Sequence, residues 1–166
     1  MIPMTADLTT FVDIDATAER VWQVLADLPA YAEWNPFVTE ADGALVVGSR
    51  LSVSVPPVNA LVQAHLRPTV VEVVPLRRLR LRSQLIRPAV PGLFDVDLIM
   101  TITDLDGGVR LWQQDRFGGL LAPLLIRSLN RHRAAAFHAM NEALKRRAEG
   151  TVAPRPPDVE LPRPEG

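Results

Sequence analysis

The chain contains no cysteine. Disulfides, thiolate metal sites and cysteine nucleophiles are therefore excluded. Long apolar runs are missing too: the longest, around Leu120 to Ile126, falls far short of the ~20 residues that span a bilayer. Lysine is nearly absent, with Lys145 the only one, and arginine carries the rest of the positive charge. Together with abundant Ala, Val and Pro, this matches high-GC bacterial coding rather than a function. The net charge of -1 gives no general attraction to nucleic acid or anionic lipid. The start, MIPMTADLTT, has neither the basic nor the apolar region of a secretory signal, so the cytoplasm is the expected location. No HExxH, GxSxG, phosphate loop or GxGxxG occurs, and His65, His132 and His138 lack metal-ligand spacing. Neither a metal nor another cofactor is expected.

What is present is an ordinary globular balance of 48% hydrophobic and 22% charged residues over 166 positions. That supports one domain with a real core, over residues 1–150. Thr151 to Gly166 holds five prolines in a short polar stretch and is expected to be a disordered tail with polyproline character.

The dominant element is a long helix over Leu120 to Glu149. Leu125, Leu129, Ala136, Met140, Ala143 and Leu144 share one broad face. Arg127, Asn130, Arg131, His138, Asn141, Glu142 and Lys145 are expected on the other. Pro123 suits a first turn, Gly150 a stop, and Lys145, Arg146 and Arg147 the negative helix end. About 28 residues at ~1.5 Å each make a rod of roughly 40 Å, which needs a wide partner.

Alternating segments supply that partner. Leu8 to Asp15 reads as a first strand. Asp15 or Thr17 then caps a helix whose buried stripe is Ala18, Val21, Trp22 and Leu25, and which ends at Pro29. A short turn of helix over Pro29 to Trp34 precedes the Asn35-Pro36 loop. Further strands are expected at Phe37 to Ala41, Gly48 to Val55, Ala60 to Val74 (interrupted at Pro68), Arg77 to Leu85, Phe94 to Thr103 and Val109 to Phe117. Asp106-Gly107 marks a hairpin turn. The fold class is α+β: a curved antiparallel sheet of about six or seven strands around the long C-terminal helix, with two short helices after the first strand. Such a grip leaves a cavity.

The segment IDATAERVWQVLADLPAYAEWNP (Ile14 to Pro36) resembles the opening of the START-like, or SRPBCC, superfamily. RPTVVEVVPLRRLRLR and PGLFDVDLIMTI resemble its middle strands. QQDRFGGLLAPLL and FHAMNEALKRRAE resemble the closing strand and helix of a bacterial branch. The resemblance spans roughly residues 8 to 149. It implies the helix-grip fold of polyketide cyclase/dehydrase-like proteins, lipid-transfer START domains and the birch-pollen allergen group. Bacterial relatives often carry a polar residue, frequently His, shortly after GLFD. Here the segment reads Val96-Asp97-Leu98, so that residue is not available for chemistry.

On the last strand, Val109, Leu111, Gln113, Asp115 and Phe117 share the face expected to point inward. A buried carboxylate needs a partner, since an unpaired one costs several kcal/mol. Arg133, near the middle of the helix's apolar face, is the candidate, and His132 lies at that face's edge. Two readings are open. Asp115, Arg133 and His132 orient a polar group of a mostly apolar ligand, with Asp115 and His132 as candidate acid/base groups for an enolisable substrate. Alternatively, the Asp115–Arg133 pair only fastens helix to sheet, or Arg133 extends to water. The expected lining is Leu81, Phe94, Leu98, Met100, Phe137 and Met140, with Phe37 at the mouth and Gln113, Asp115 and Arg133 at the polar end. Each of the apolar ones taken singly reads first as plain core, and their value as a lining is collective. Arg78, Arg80 and Arg82 form a basic row facing Asp95 and Asp97 on the next strand. Cross-strand pairing accounts for both rows, and nucleic acid is not an expected partner.

The first functional expectation is therefore a binder of a hydrophobic or aromatic small molecule, lipid- or polyketide-like. The second is a polyketide cyclase/dehydrase-type enzyme acting in the same cavity. The third, favoured by a filled core, is a protein-interaction or regulatory module. The oligomeric state leaves no mark on the sequence.

Overall fold

The computed structural model describes residues 6–57 and 60–150. The chain runs β1 (Ala6–Ile14), α1 (Ala18–Ala26), a 3-10 turn (Leu28–Ala30), α2 (Tyr31–Trp34), β2 (Glu40–Asp42), β3 (Ser52–Ser54) and β4 (His65–Leu66). It continues with β5 (Thr69–Val74), β6 (Arg78–Gln84), β7 (Asp95–Leu105), β8 (Gly108–Gly118) and α3 (Ala122–Glu149). The proline-rich tail expected over 151–166 lies outside the described residues.

Among the described residues the strands form two antiparallel sheets, β1-β8-β7-β6-β5 and β2-β3-β4, rather than one of six or seven strands. The division falls at Pro68. A proline has no N–H to give a ladder, and the Pro68 carbonyl instead accepts the Leu51 N–H at 2.8 Å. Two further bonds, Gly48 N–H to Val70 O (2.8 Å) and Val70 N–H to Ser49 O (2.9 Å), fasten the small sheet beside β5. The register shift between Val70 and Glu72 adds local bend. The result is a helix-grip fold, with the curved main sheet facing α3.

The register sets what meets on the inner face. One row reads Val70, Leu81, Leu98, Asp115, Leu8 across β5, β6, β7, β8 and β1; the next reads Val73, Leu79, Met100, Gln113, Thr10. The expected alternation of β6, β7 and β8 therefore holds. On the outer face Asp97 receives Arg80 and Arg82, and Gln84 donates to Asp95 at 2.9 Å.

Thr17, of the two possible caps, starts α1: its Oγ1 accepts the Arg20 N–H at 3.2 Å. The buried stripe is Val21, Val24 and Leu25, with Trp22 only partly covered against the core. α3 behaves as two halves. Its C-terminal half is packed down through Phe137, Asn141, Leu144 and Ala148. Asn141, expected outside, is buried because this half lies over β1, where its Nδ2 donates to Thr10 Oγ1 at 3.1 Å. The final turns are tied to the start of the chain. Arg20 donates to the carbonyls of Arg147 (3.1 Å) and Ala148 (3.3 Å), Lys145 to Asp13 O (2.7 Å), and the Asp15 N–H to Glu149 (2.8 Å). Gly150 stops the helix at φ 70°, where a side chain would be strained. The N-terminal half, including Leu125, Leu129, Arg133 and Ala136, is only partly covered.

Candidate functional site

The middle of α3, from Leu129 to Met140, roofs a cavity of about 470 Å³. Its floor comes from β6 and β7, through Leu79, Leu81, Ser83, Leu85, Val96, Leu98 and Met100. One wall is the small sheet and its loops, through Leu51, Val53, Val55 and Leu66. The loop after α2 adds Asn35, Pro36, Phe37 and Val38. The roof is Leu129, His132, Arg133, Ala136, Phe137 and Met140 of α3. Strand alternation delivers the floor, and helical spacing delivers the roof. A volume in this range, apolar with a few polar groups, is typical of small-molecule sites of about 300–1,000 Å³.

Of the residues singled out in the sequence, Phe37, Leu81, Leu98, Met100, His132, Arg133, Phe137 and Met140 line this cavity. Phe94 does not. It precedes β7 and is buried in a second core cluster, stacked on Phe117 with ring centroids 5.9 Å apart. Gln113 and Asp115 also stand outside the lining, fully buried between β8 and α3 in the rows that hold Met100 and Leu98.

The expected Asp115–Arg133 pair forms: Arg133 Nε donates to Asp115 Oδ2, and its guanidinium lies 5.4 Å from the centre of the Phe137 ring. Among the described residues, Asp115 Oδ1 has no hydrogen-bond partner. Burial pushes the Asp115 carboxyl above its ordinary value, against the pull of Arg133. Both amide atoms of Gln113 and the Oδ1 of Asn141 are likewise buried and unbonded. A buried polar atom without a partner costs about 1–3 kcal/mol. The layer under α3 thus holds polar capacity suited to ordered water. His132 is exposed at the cavity's edge, and no hydrogen bond joins it to Asp115 among the described residues. The two candidate acid/base groups are therefore not assembled into a dyad.

Sequence reasoning missed Asn35, read there only as a loop signal. Its Oδ1 accepts the backbone N–H groups of Phe37 (2.9 Å) and Val38 (3.0 Å), an Asx turn that sets Phe37 at the cavity. Its buried Nδ2 has no hydrogen-bond partner among the described residues. The signal was available, since Asn before Pro often organises such a turn. Tyr31, also lining the cavity, spends its hydroxyl proton on Leu25 O at 2.7 Å.

A curved sheet, a long covering helix and a largely apolar hollow between them define the START-like helix-grip class. Within it, this chain belongs to the polyketide cyclase/dehydrase and lipid transport family, whose model matches residues 5–149. No curated protein matches it by sequence. Among solved structures, it is similar to protein MLL2253 from Mesorhizobium loti: TM-score 0.70, 19% identity, covering 89% of this chain and 99% of that one. It is similar also to the Zhui aromatase/cyclase from Streptomyces sp. R1128: TM-score 0.67, 16% identity, covering 87% and 93%. A START superfamily protein from Mycobacterium smegmatis gives TM-score 0.64 at 17% identity, covering 88% and 99%. At these identities the likeness is one of fold. No helix among the described residues is long and apolar enough to cross a membrane.

Proposed function

We infer that the protein binds a hydrophobic small molecule in the cavity between the sheet and α3. The observation that carries this reading is the unfilled, mostly apolar space of about 470 Å³ beneath Leu129, Ala136 and Phe137. A protein selected only for stability closes such space, because an empty cavity costs transfer and dispersion energy. The hollow therefore also weighs against a pure interaction module, for which a filled interior is the natural form. Membership of a family described by cyclase/dehydrase chemistry and lipid transport agrees with a ligand at this place.

The test fills the space. Ala136→Trp and Leu98→Trp each place an indole where the guest would sit. With 1-aminoanthracene as a neutral apolar probe, followed by fluorescence, the wild-type chain binds. Either variant weakens binding by about tenfold or more, with Tm held within about 3 °C. Absence of probe binding to the wild type, or undiminished binding to both folded variants, refutes the reading.

A cyclase-type reaction is the second reading, favoured by His132 at the cavity's edge, since imidazole is the side chain most often used for general acid–base work. It would place the acid/base step at His132 rather than at the enclosed Asp115.

A further inference from the structure

The cavity's lining includes an arginine but no carboxylate among the described residues; Gln63, whose Nε2 donates to Gln84 O at 2.6 Å, keeps an acceptor oxygen, and Ser83 adds a hydroxyl. Arg133 uses Nε on Asp115, and its two terminal nitrogens make no hydrogen bond among the described residues. Asn35 turns its oxygen to two backbone N–H groups, which fixes the amide so that Nδ2, a donor, is the unbonded end. The Tyr31 proton is already given away. Among the described residues, no Asp or Glu side chain lines the cavity, whereas Arg133 and His132 do. Donors thus remain on two walls, with the guanidinium the charged one among them, and among the described residues no lining carboxylate is present to meet a cation. A neutral apolar guest would leave these donors unsatisfied, and an amine would face the guanidinium.

Resting on the binding reading above, we propose that the ligand is an apolar molecule bearing an acidic oxygen group, such as a carboxylate or enolate, held by the terminal nitrogens of Arg133. Asp115 then acts as a positioning residue. It grips Nε, which leaves to the ligand the two terminal nitrogens of a residue that lines the hollow, with the guanidinium carbon 5.4 Å from the centre of the Phe137 ring. A guanidinium edge suits a planar pair of oxygens, and such charge-assisted bonds are about twice as strong as neutral ones.

The experiment compares decanoic acid with methyl decanoate by titration calorimetry, beside 1-aminoanthracene. The acid is expected to bind the wild type about tenfold tighter than the ester or better. In Arg133→Met that preference falls to about twofold or less, while the ester and the neutral probe keep their affinity. Because Arg133→Met strands Asp115, the double variant Asp115→Asn/Arg133→Met removes both partners, and its near-UV circular dichroism verifies folding. Equal affinity of acid and ester for the wild type, or a preference that survives in the folded double variant, overturns the proposal. Binding of the neutral probe alone overturns the acidic-ligand assignment and leaves the cavity reading standing. Binding of none of the three overturns both.

Discussion

Asp97 and Asp115 stand on adjacent strands, β7 and β8, each with 0% of its side chain exposed. They differ in which face of the sheet they take and in how fully they are met. Asp97 points outward and receives two arginines: Arg80 Nε at 2.9 Å, and Arg82 through Nε at 2.6 Å and a terminal nitrogen at 2.9 Å. Both of its oxygens are bonded. Asp115 points inward and, among the described residues, receives Arg133 alone and keeps one oxygen unbonded. Burial raises both carboxyls, but at Asp97 the bonds and charges of Arg82 and Arg80 outweigh it and hold the group below its ordinary value. At Asp115 burial wins. A carboxylate saturated by two cations belongs to the scaffold; one left half-satisfied beside a cavity is kept at a cost that packing alone does not explain.

The largest break in this comparison comes from Asp97→Ala. It removes the shared anion from two guanidiniums. Losing one partner of a buried pair costs about 3–5 kcal/mol. Arg80 and Arg82 are 27% and 43% exposed, so water offsets part of the loss. We expect about 3 kcal/mol, read as a lowered urea midpoint with unchanged slope. Asp115→Ala should cost less, about 1–2 kcal/mol, since it removes one ion pair along with an orphaned oxygen. A larger loss at Asp115 than at Asp97 would reverse the assignment of scaffold and site.

The smallest effect lies in pH dependence, and the two groups should act with opposite sign. A carboxyl held below its unfolded value of about 3.9 lends stability that is complete above that value and is lost as pH falls through the depressed one. That is the direction for Asp97. A carboxyl raised above the unfolded value binds its proton more tightly when folded, so stability declines as pH rises from about 3.9 through the raised value. That is the direction for Asp115. Urea unfolding from about pH 3 to about pH 8 should show Asp97→Asn flattening the acid limb and Asp115→Asn removing the decline above it. Asp13 and Glu149, also held low, by Arg110 and by the Asp15 N–H, contribute equally to both variants and to wild type. Parallel profiles for the two variants would refute the contrast.

The alternation that placed Arg80, Arg82 and Asp97 outside, and Leu81, Leu98 and Asp115 inside, was legible because strand period leaves little choice of face once one face is apolar. Arg133 could be matched to Asp115 because no other cation lies on the apolar side of the helix. Asn141 could not be placed the same way. Asn141 meets Thr10 of β1, whereas Leu129 to Met140 roof the cavity, so different parts of α3 bury different stripes and a single helical wheel averages them. Phe94 failed for a related reason: a residue just ahead of a strand is placed by its loop rather than by the pleat. The division into two sheets was visible only as an interruption at Pro68, since which carbonyls and N–H groups meet across such a break depends on distant chain. Asn35 was hidden because its task is to hold a turn, and the free end of its amide matters only once a cavity exists beside it.

The edge position of β1 has a consequence during synthesis. Its partner in the sheet is β8, and the Asp13–Arg110 pair that joins them links residues 97 positions apart. At about 5–20 residues per second, translation leaves the first strand waiting on the order of 5–20 s for its neighbour. Throughout that interval Leu8, Val12 and Ile14 have no β8 to pair with. The nascent protein thus carries the apolar side of its first strand without its sheet partner until most of the domain has emerged.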